Sequence, residues 1–252
     1  MDPSSRVQQQ ESVVTEFVPE QPALNEHTLL LELNHRIKNE LASAINLVSV
    51  AAARSDNPEV KIALGNVVEL LEKHADILRA LKIPDDSAII DAAEYLRKLC
   101  LSMSRSRLDR MKIHLVFAAD TLLLQSDRCW RLGMILYELV TNSVRHAFFE
   151  GRDGEVRVEL SRVGALVKCR VSDNGSVSAE IKPGRGLRIL LDLVKSLGGQ
   201  LDHSFGTERS YFTLLLPFTE HEQQANREAA RASRTTGFKP KLEDVHQRTS
   251  VA

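Results

Sequence analysis

Four polar residues, Glu138, Asn142, Arg145 and His146, fall within "ELVTNSVRHAF" (residues 138–148). At about 100° per residue they gather on one arc of a helix. A carboxylate and an amide oxygen suit Mg²⁺, while a guanidinium and an imidazole suit the oxygens of a polyphosphate. The same set on its own also describes a solvated helix flank. Two later stretches carry complementary chemistry. "VSDNG" (residues 171–175) ends a strand with Asp173, a hydrogen-bond acceptor, and Gly175, which lets a flat ligand approach the backbone. Gly184 and Gly186 stand just before a helix whose first amides favour phosphate. Each of these alone is an ordinary turn; their order and combination are more specific. The remaining candidate is His35 in "LLLELNHRIKNELASAINLVSV" (residues 29–50). Helical spacing puts Leu30, Leu33, Ile37, Leu41, Ala44 and Val48 in one stripe, with His35 on the other side and Glu32 and Asn39 one turn before and after it. A single surface histidine is usually only that.

The elements that must position these groups form two units. The first helix ends near Arg54; Asn57 caps and Pro58 opens a second, whose stripe is Val60, Ala63, Leu64, Val67, Leu71, Ile77, Leu78 and Leu81. A lone hairpin buries only part of two such stripes. Pairing two copies into a four-helix bundle would bury the rest, so residues 28–84 are expected to form a homodimer; packing onto the chain's own second unit is the other reading. After Pro84, "DAAE" at Asp91–Glu94 is a capping box opening a helix to about Arg105. "KIHLVFA" and "TLLLQ" read as strands joined near Asp120. A long helix from about Asp127 to Phe148 has Trp130, Met134, Tyr137, Val140, Val144 and Phe148 as its expected buried stripe. Strands "EVRVEL" and "ALVKCRVS", a helix "LRILLDLVKSL" stopped by Gly198-Gly199, and a strand "YFTLLLPF" complete an α/β sandwich. The fold class is α+β.

Composition limits the alternatives. Of 252 residues, 43% are hydrophobic and 27% charged, with a formal net charge of −1, a balance that argues against a dedicated nucleic-acid binder. No apolar run approaches the roughly 20 residues of a membrane span, and the N-terminus has no signal pattern. Cys100, Cys129 and Cys169 have no paired spacing. The expectation is a cytoplasmic protein with no membrane or nucleic-acid partner. Residues 1–27 are expected to be disordered. So is the polar tail, 219–252, which holds good helix formers but no stripe to bury; a short docking helix there is the other reading.

In order, "ELNHRIKN", "ELVTNSVRHAF", "VSDNG" and "GRGLRILLDLVKSLGG" resemble the boxes of a sensor histidine kinase. The His-Arg-x-Lys-Asn box resembles that of the HWE subfamily and its close relatives. The resemblance covers about Leu29 to Phe218. It implies a dimerisation and phosphoacceptor hairpin (28–84) followed by a Bergerat-type ATP-binding domain of the GHKL superfamily (85–218). By position it implies that His35 is phosphorylated on a ring nitrogen, and that Asn142 coordinates Mg²⁺ with Glu138 assisting at the metal or its water. Arg145 and His146 would neighbour the phosphates of ATP. Asp173 would bind the adenine amino group with Gly175 giving it room, and Gly184 and Gly186 would let the lid and helix start approach the phosphates. Where many histidine kinases place an acid directly after the histidine, Arg36 stands here, so Glu32 is the candidate to orient or deprotonate His35. The implied partner is the receiver domain of a response regulator. Because about 28 residues precede the first helix, too few for a sensor domain, the input is expected from a partner such as an upstream sensor protein, the chain ends or another subunit.

Two departures from the family pattern bear on ATP. Val177 stands where a second glycine is common, and the segment from Gly175 to Gly184 is short, offering fewer amides to cradle a triphosphate. The competing readings are therefore a histidine phosphotransferase or degenerate kinase, or a non-enzymatic ATP-dependent binding switch.

Overall fold

The computed structural model describes residues 26–82, 88–147, 154–175, 185–206, 209–236 and 243–244. Helix α1 (Glu26–Arg54) and helix α2 (Pro58–Ala80) form the antiparallel hairpin. The Asn57 side chain accepts from the Glu59 N–H at 2.9 Å, capping α2 as its sequence predicts. The two apolar stripes, however, find little cover within one chain. Of the stripe residues, Leu33, Ile37, Val60 and Val67 are exposed, as are Leu47 and Ile62 outside the stripes, at 70% and 66%. Among the described residues of the hairpin only Ile77 and Leu81, at the base of α2, are buried. That base packs on the second unit.

Strand β1 (Ile89–Asp91) runs into helix α3 (Ala92–Met103), where Asp91 accepts from Ala93 and Glu94. The expected capping box closes on one side only, because the Glu94 carboxylate pairs with Arg97 and Lys98. Strand β2 (Ile113–Ala119) and strand β3 (Leu123–Gln125) follow, and they do not pair with each other. β3 runs antiparallel to β1 in a separate ribbon, while β2 lies parallel to β4. Helix α4 (Ser126–Ala147), strand β4 (Gly154–Val163), strand β5 (Leu166–Asp173), helix α5 (Arg185–Ser196), strand β6 (Gln200–Phe205) and strand β7 (Ser210–Pro217) build the rest, followed by helix α6 (Glu220–Thr236) and strand β8 (Glu243–Asp244). The main sheet has the order β6-β7-β5-β4-β2-β8. Strict alternation of buried and partly exposed residues along β4, β5 and β7 gives the sheet one core face, against which α3, α4 and α5 pack. Gly198, at φ +65°, ends α5 in a left-handed turn, with its N–H on Lys195 and that of Gly199 on Val194.

Two expectations change. In α4 the buried apolar residues are Cys129, Leu132, Ile135, Leu136, Leu139, Val140 and Val144, so Val140 and Val144 of the expected stripe are in the core. Trp130, Met134 and Tyr137 are only partly covered, and Phe148 lies outside the described residues. The helix is covered on two sides, by the sheet unit and by the hairpin, so one stripe underestimates its burial. The second correction is to the tail. Glu220–Thr236 is helical and docked, and it docks through polar groups. Asn226 accepts from Leu123 N–H at 3.0 Å and donates to Leu123 C=O at 2.6 Å, while the fully buried Glu222 accepts from Gln125 N–H and pairs with Arg128 at 2.9 Å. These side chains complete the edge of β3 that β1 leaves open. A search for apolar periodicity cannot see such a helix.

The three cysteines are free and buried, and burial pushes their thiols up, Cys169 to about 12. Among the described residues no helix is long and apolar enough to cross a membrane.

Candidate functional site

Asp173 is the last residue of β5 and points to the core face of the sheet, where it is buried. Its carboxylate accepts from the Gly175 N–H at 3.2 Å and from the Ser143 hydroxyl of α4. Burial raises its pKa above the ordinary aspartate value, and those two hydrogen bonds offset only part of the shift. Asn174 fixes the turn that follows by accepting from Glu155 N–H at 2.7 Å. Across the ladder Asp173 faces Ser210 of β7. The Ser210 hydroxyl is buried and has no hydrogen-bond partner among the described residues. One corner of the sheet therefore offers a desolvated acceptor beside an unused hydroxyl, with backbone glycine close by. An aminopurine edge, with a donor amino group next to ring nitrogen acceptors, fits that pair. Ser143 and Ser210 were not foreseen: a serine in "TNSVR" or "ERSYF" carries no signal until the sheet and α4 bring it to Asp173.

One turn of α4 before that corner, Asn142 donates to Glu138 Oε1 at 3.2 Å, so the two residues of the expected metal pair are brought together. The Glu138 carboxylate also lies against Gly186, in the first turn of α5. A Cβ at 186 would sit 2.9 Å from the Glu138 carboxyl carbon and closer still to Oε1, so a larger residue there would displace the carboxylate. A helix start favours an adjacent negative charge, whether from this carboxylate or from a phosphate. The donor set suits Mg²⁺, which takes oxygen ligands and usually keeps only one or two from protein. Among the described residues no cluster of three or more His, Cys, Asp or Glu forms a denser site. Arg145 is exposed on the same helix. The His146 side chain, Gly184, Val177 and the whole stretch 176–184 lie outside the described residues.

His35 is exposed on α1, as its helical position requires. Its Nδ1 is 3.3 Å from the Asn39 amide, and Glu32 is engaged by Arg36 at 2.8 Å. Lys38, three residues on, has its pKa lowered by burial and by the neighbouring charges of Lys82 and Arg79. The opposite side of the hairpin meets α4. There Leu33, Asn34 and Ile37 of α1, residues from the end of α2, and Trp130, Met134 and Tyr137 of α4 line a cavity of about 370 Å³.

A hairpin displaying a histidine, joined to a sandwich whose sheet end can take an aminopurine and a metal-bound polyphosphate, defines a nucleotide-dependent phosphotransfer architecture. A family described as "Histidine kinase" matches residues 32–107, and one described as "Histidine kinase-like ATPase domain" matches residues 105–204. The chain is 26% identical over 203 residues to blue-light-activated histidine kinase 2 of Erythrobacter litoralis, covering 77% of this chain and 58% of that one. It is 30% identical over 189 residues to the sensor histidine kinase PdtaS of Mycobacterium tuberculosis, covering 73% of this chain and 37% of that one. The chain thus spans less than two thirds of these curated relatives. The solved histidine kinase domain of an Erythrobacter litoralis blue-light activated histidine kinase shares the fold, with a TM-score of 0.53 at 21% identity over 73% of this chain and 98% of that one. The chain belongs to the histidine kinases, of the HWE type, the class of enzyme that two-component signalling uses.

Proposed function

We propose that the protein phosphorylates its own His35 from ATP and passes the phosphoryl group to an aspartate in the receiver domain of a response regulator. The observation that carries this is the pairing of an outward histidine on α1 with the buried Asp173, whose Ser143 and Ser210 surroundings suit adenine. Asp173 accepts from the adenine amino group, and the Ser210 hydroxyl is free to serve the ring edge. Glu138 and Asn142 hold Mg²⁺, which supplies neutralisation of the phosphate charge when bound. Arg145 neighbours the phosphates and Gly186 lets the α5 amides come close. His35 attacks in line; positioning and charge neutralisation do most of the catalysis. Glu32, the carboxylate one turn away, receives the ring proton once Arg36 releases it.

The hairpin's exposed apolar residues support a homodimer through residues 28–84, since a second copy would cover Leu47, Val50, Val60 and Ile62. The receiver and an upstream sensor protein are the further partners, and a receiver of this kind sets the protein in the cytoplasm.

The test is incubation with γ-labelled ATP and Mg²⁺. The expected result is acid-labile, base-stable label that disappears in His35→Ala and in Asn142→Ala. No label from ATP, with label arriving from a phosphorylated receiver instead, would replace the kinase by a phosphotransferase.

A further inference from the structure

One contact at His35 sets its chemistry more tightly than exposure does. The Asn39 amide stands one turn after the ring, and its nitrogen, Nδ2, lies 3.3 Å from Nδ1; a half-turn of the amide brings Oδ1 to the same place. Among the described residues Nε2 has no partner, and the nearest acid on the helix, Glu32, is taken by Arg36. An amide can present either end to a ring nitrogen, and the two ends have opposite consequences. With the NH₂ group donating, as Nδ2 is placed here, the ring proton must sit on Nε2, and the lone pair that could attack phosphorus faces Asn39 instead. With the amide turned, Oδ1 accepts from Nδ1–H and the Nε2 lone pair faces solvent.

We propose that Asn39 is the positioning residue for phosphoryl transfer: its Oδ1 accepts the Nδ1–H of His35 and holds the ring in the tautomer whose Nε2 is the nucleophile. This rests on the reading of His35 as phosphoacceptor. In the step it prepares, the Nε2 lone pair forms the N–P bond. The bond from the γ-phosphorus to its bridging oxygen breaks, and ADP leaves with that electron pair. The Nδ1 proton stays against Asn39 until it is lost to solvent or to Glu32. A neutral acceptor suits this role. It fixes the tautomer, whereas a carboxylate in its place would favour the cationic ring, which has no lone pair to offer.

The test is ¹⁵N labelling of the histidine rings and long-range ¹H–¹⁵N correlation at about pH 8.5, above the ordinary histidine range, with His35→Ala identifying the signals. The expected spectrum shows a protonated Nδ1 and a bare Nε2 in the parent. Asn39→Ala moves the proton toward Nε2, and Asn39→Asp, whose carboxylate can only accept, returns it to Nδ1. Autophosphorylation of Asn39→Ala falls by about 10- to 100-fold, the range found when the partner orienting a metal-bound imidazole is lost, and Asn39→Asp recovers part of it. A parent ring protonated on Nε2, or a tautomer indifferent to Asn39→Ala, overturns the proposal. The expected tautomers without ATP-derived label in any variant overturn the kinase reading and leave the orientation of the ring by Asn39 standing.

Discussion

Asp173→Asn separates the fold's interest from the site's. Burial raises the Asp173 carboxyl above its ordinary value, and the Ser143 and Gly175 hydrogen bonds lower it again only in part. An acid with a raised folded-state pKa binds its proton more tightly in the native protein than in the unfolded chain. Stability therefore falls as pH rises from the unfolded value, about 3.9, through the folded one, and at neutral pH the fold bears the whole cost of the buried charge. The amide keeps the shape and an acceptor while removing the charge. The nucleotide-free variant should be at least as stable as the parent at about pH 7, with an advantage that shrinks as pH falls toward about 4 and the parent takes up its proton. Nucleotide binding should move the other way. A hydrogen bond to a charged acceptor is worth about 1.5–3 kcal/mol, so ATP affinity should drop about 10- to 150-fold. Urea unfolding across this pH range measures the first effect, and titration calorimetry with Mg-ATP the second. A variant that loses stability at neutral pH yet binds ATP as the parent does would refute the reasoning, because Asp173 would then be a structural anchor and not an adenine acceptor.

Gly186→Ala should drive the Glu138 carboxylate off the start of α5, weakening Mg²⁺-dependent ATP binding by about tenfold or more, as expected for loss of one charge-assisted contact; calorimetry with and without Mg²⁺ reads this. Asn226→Ala strands the N–H and C=O of Leu123, costing about 2–4 kcal/mol and about 5–15 °C in Tm, seen by calorimetric melting. Leu47→Glu places a charge at a 70% exposed apolar position of the hairpin; light scattering should show a monomer, with secondary structure unchanged by circular dichroism. Glu32→Gln should slow autophosphorylation while ATP affinity stays intact, measured by rate and by binding on the same preparation.

Which parts of this were legible in the sequence follows from where each residue gets its meaning. Asp173, Gly175, Glu138 and Asn142 take theirs from neighbours a few positions away, so spacing along the chain finds them. Ser143 and Ser210 take theirs from Asp173, which Ser143 reaches from α4 by a hydrogen bond and Ser210 faces across the β5–β7 ladder. The same division explains the elements. β4, β5 and β7 alternate cleanly because one face is buried. β6, "QLDHSF", is an edge strand with mostly exposed residues and offers no alternation to read. α6 was legible only as the alternative to a disordered tail, because its docking residues are a glutamate and an asparagine that bond the open edge of β3. In α4, Trp130, Met134 and Tyr137 were assigned to the core because they share a helical stripe with the buried Val140 and Val144, but their end of it lines the cavity against the hairpin.

That last displacement bears on how the enzyme can work. Leu33 and Ile37 meet Tyr137 across the cavity, and each lies two positions from His35, which puts the histidine about 160° around α1 from the face that α4 approaches. Glu138 and Asn142 stand on α4 just beyond Tyr137. In this arrangement the ATP unit grips the hairpin on the side away from the acceptor, through an incompletely filled apolar contact involving Leu33 and Ile37, which are 55% and 46% exposed. Phosphoryl transfer requires in-line approach to within about 3–3.5 Å. The proposed transfer to His35 therefore requires that the contact break and the unit travel round the hairpin, or that the γ-phosphate come from a second subunit. A loosely packed cavity costs little to open, so the same feature that leaves the first unit short of a core also leaves its neighbour able to move.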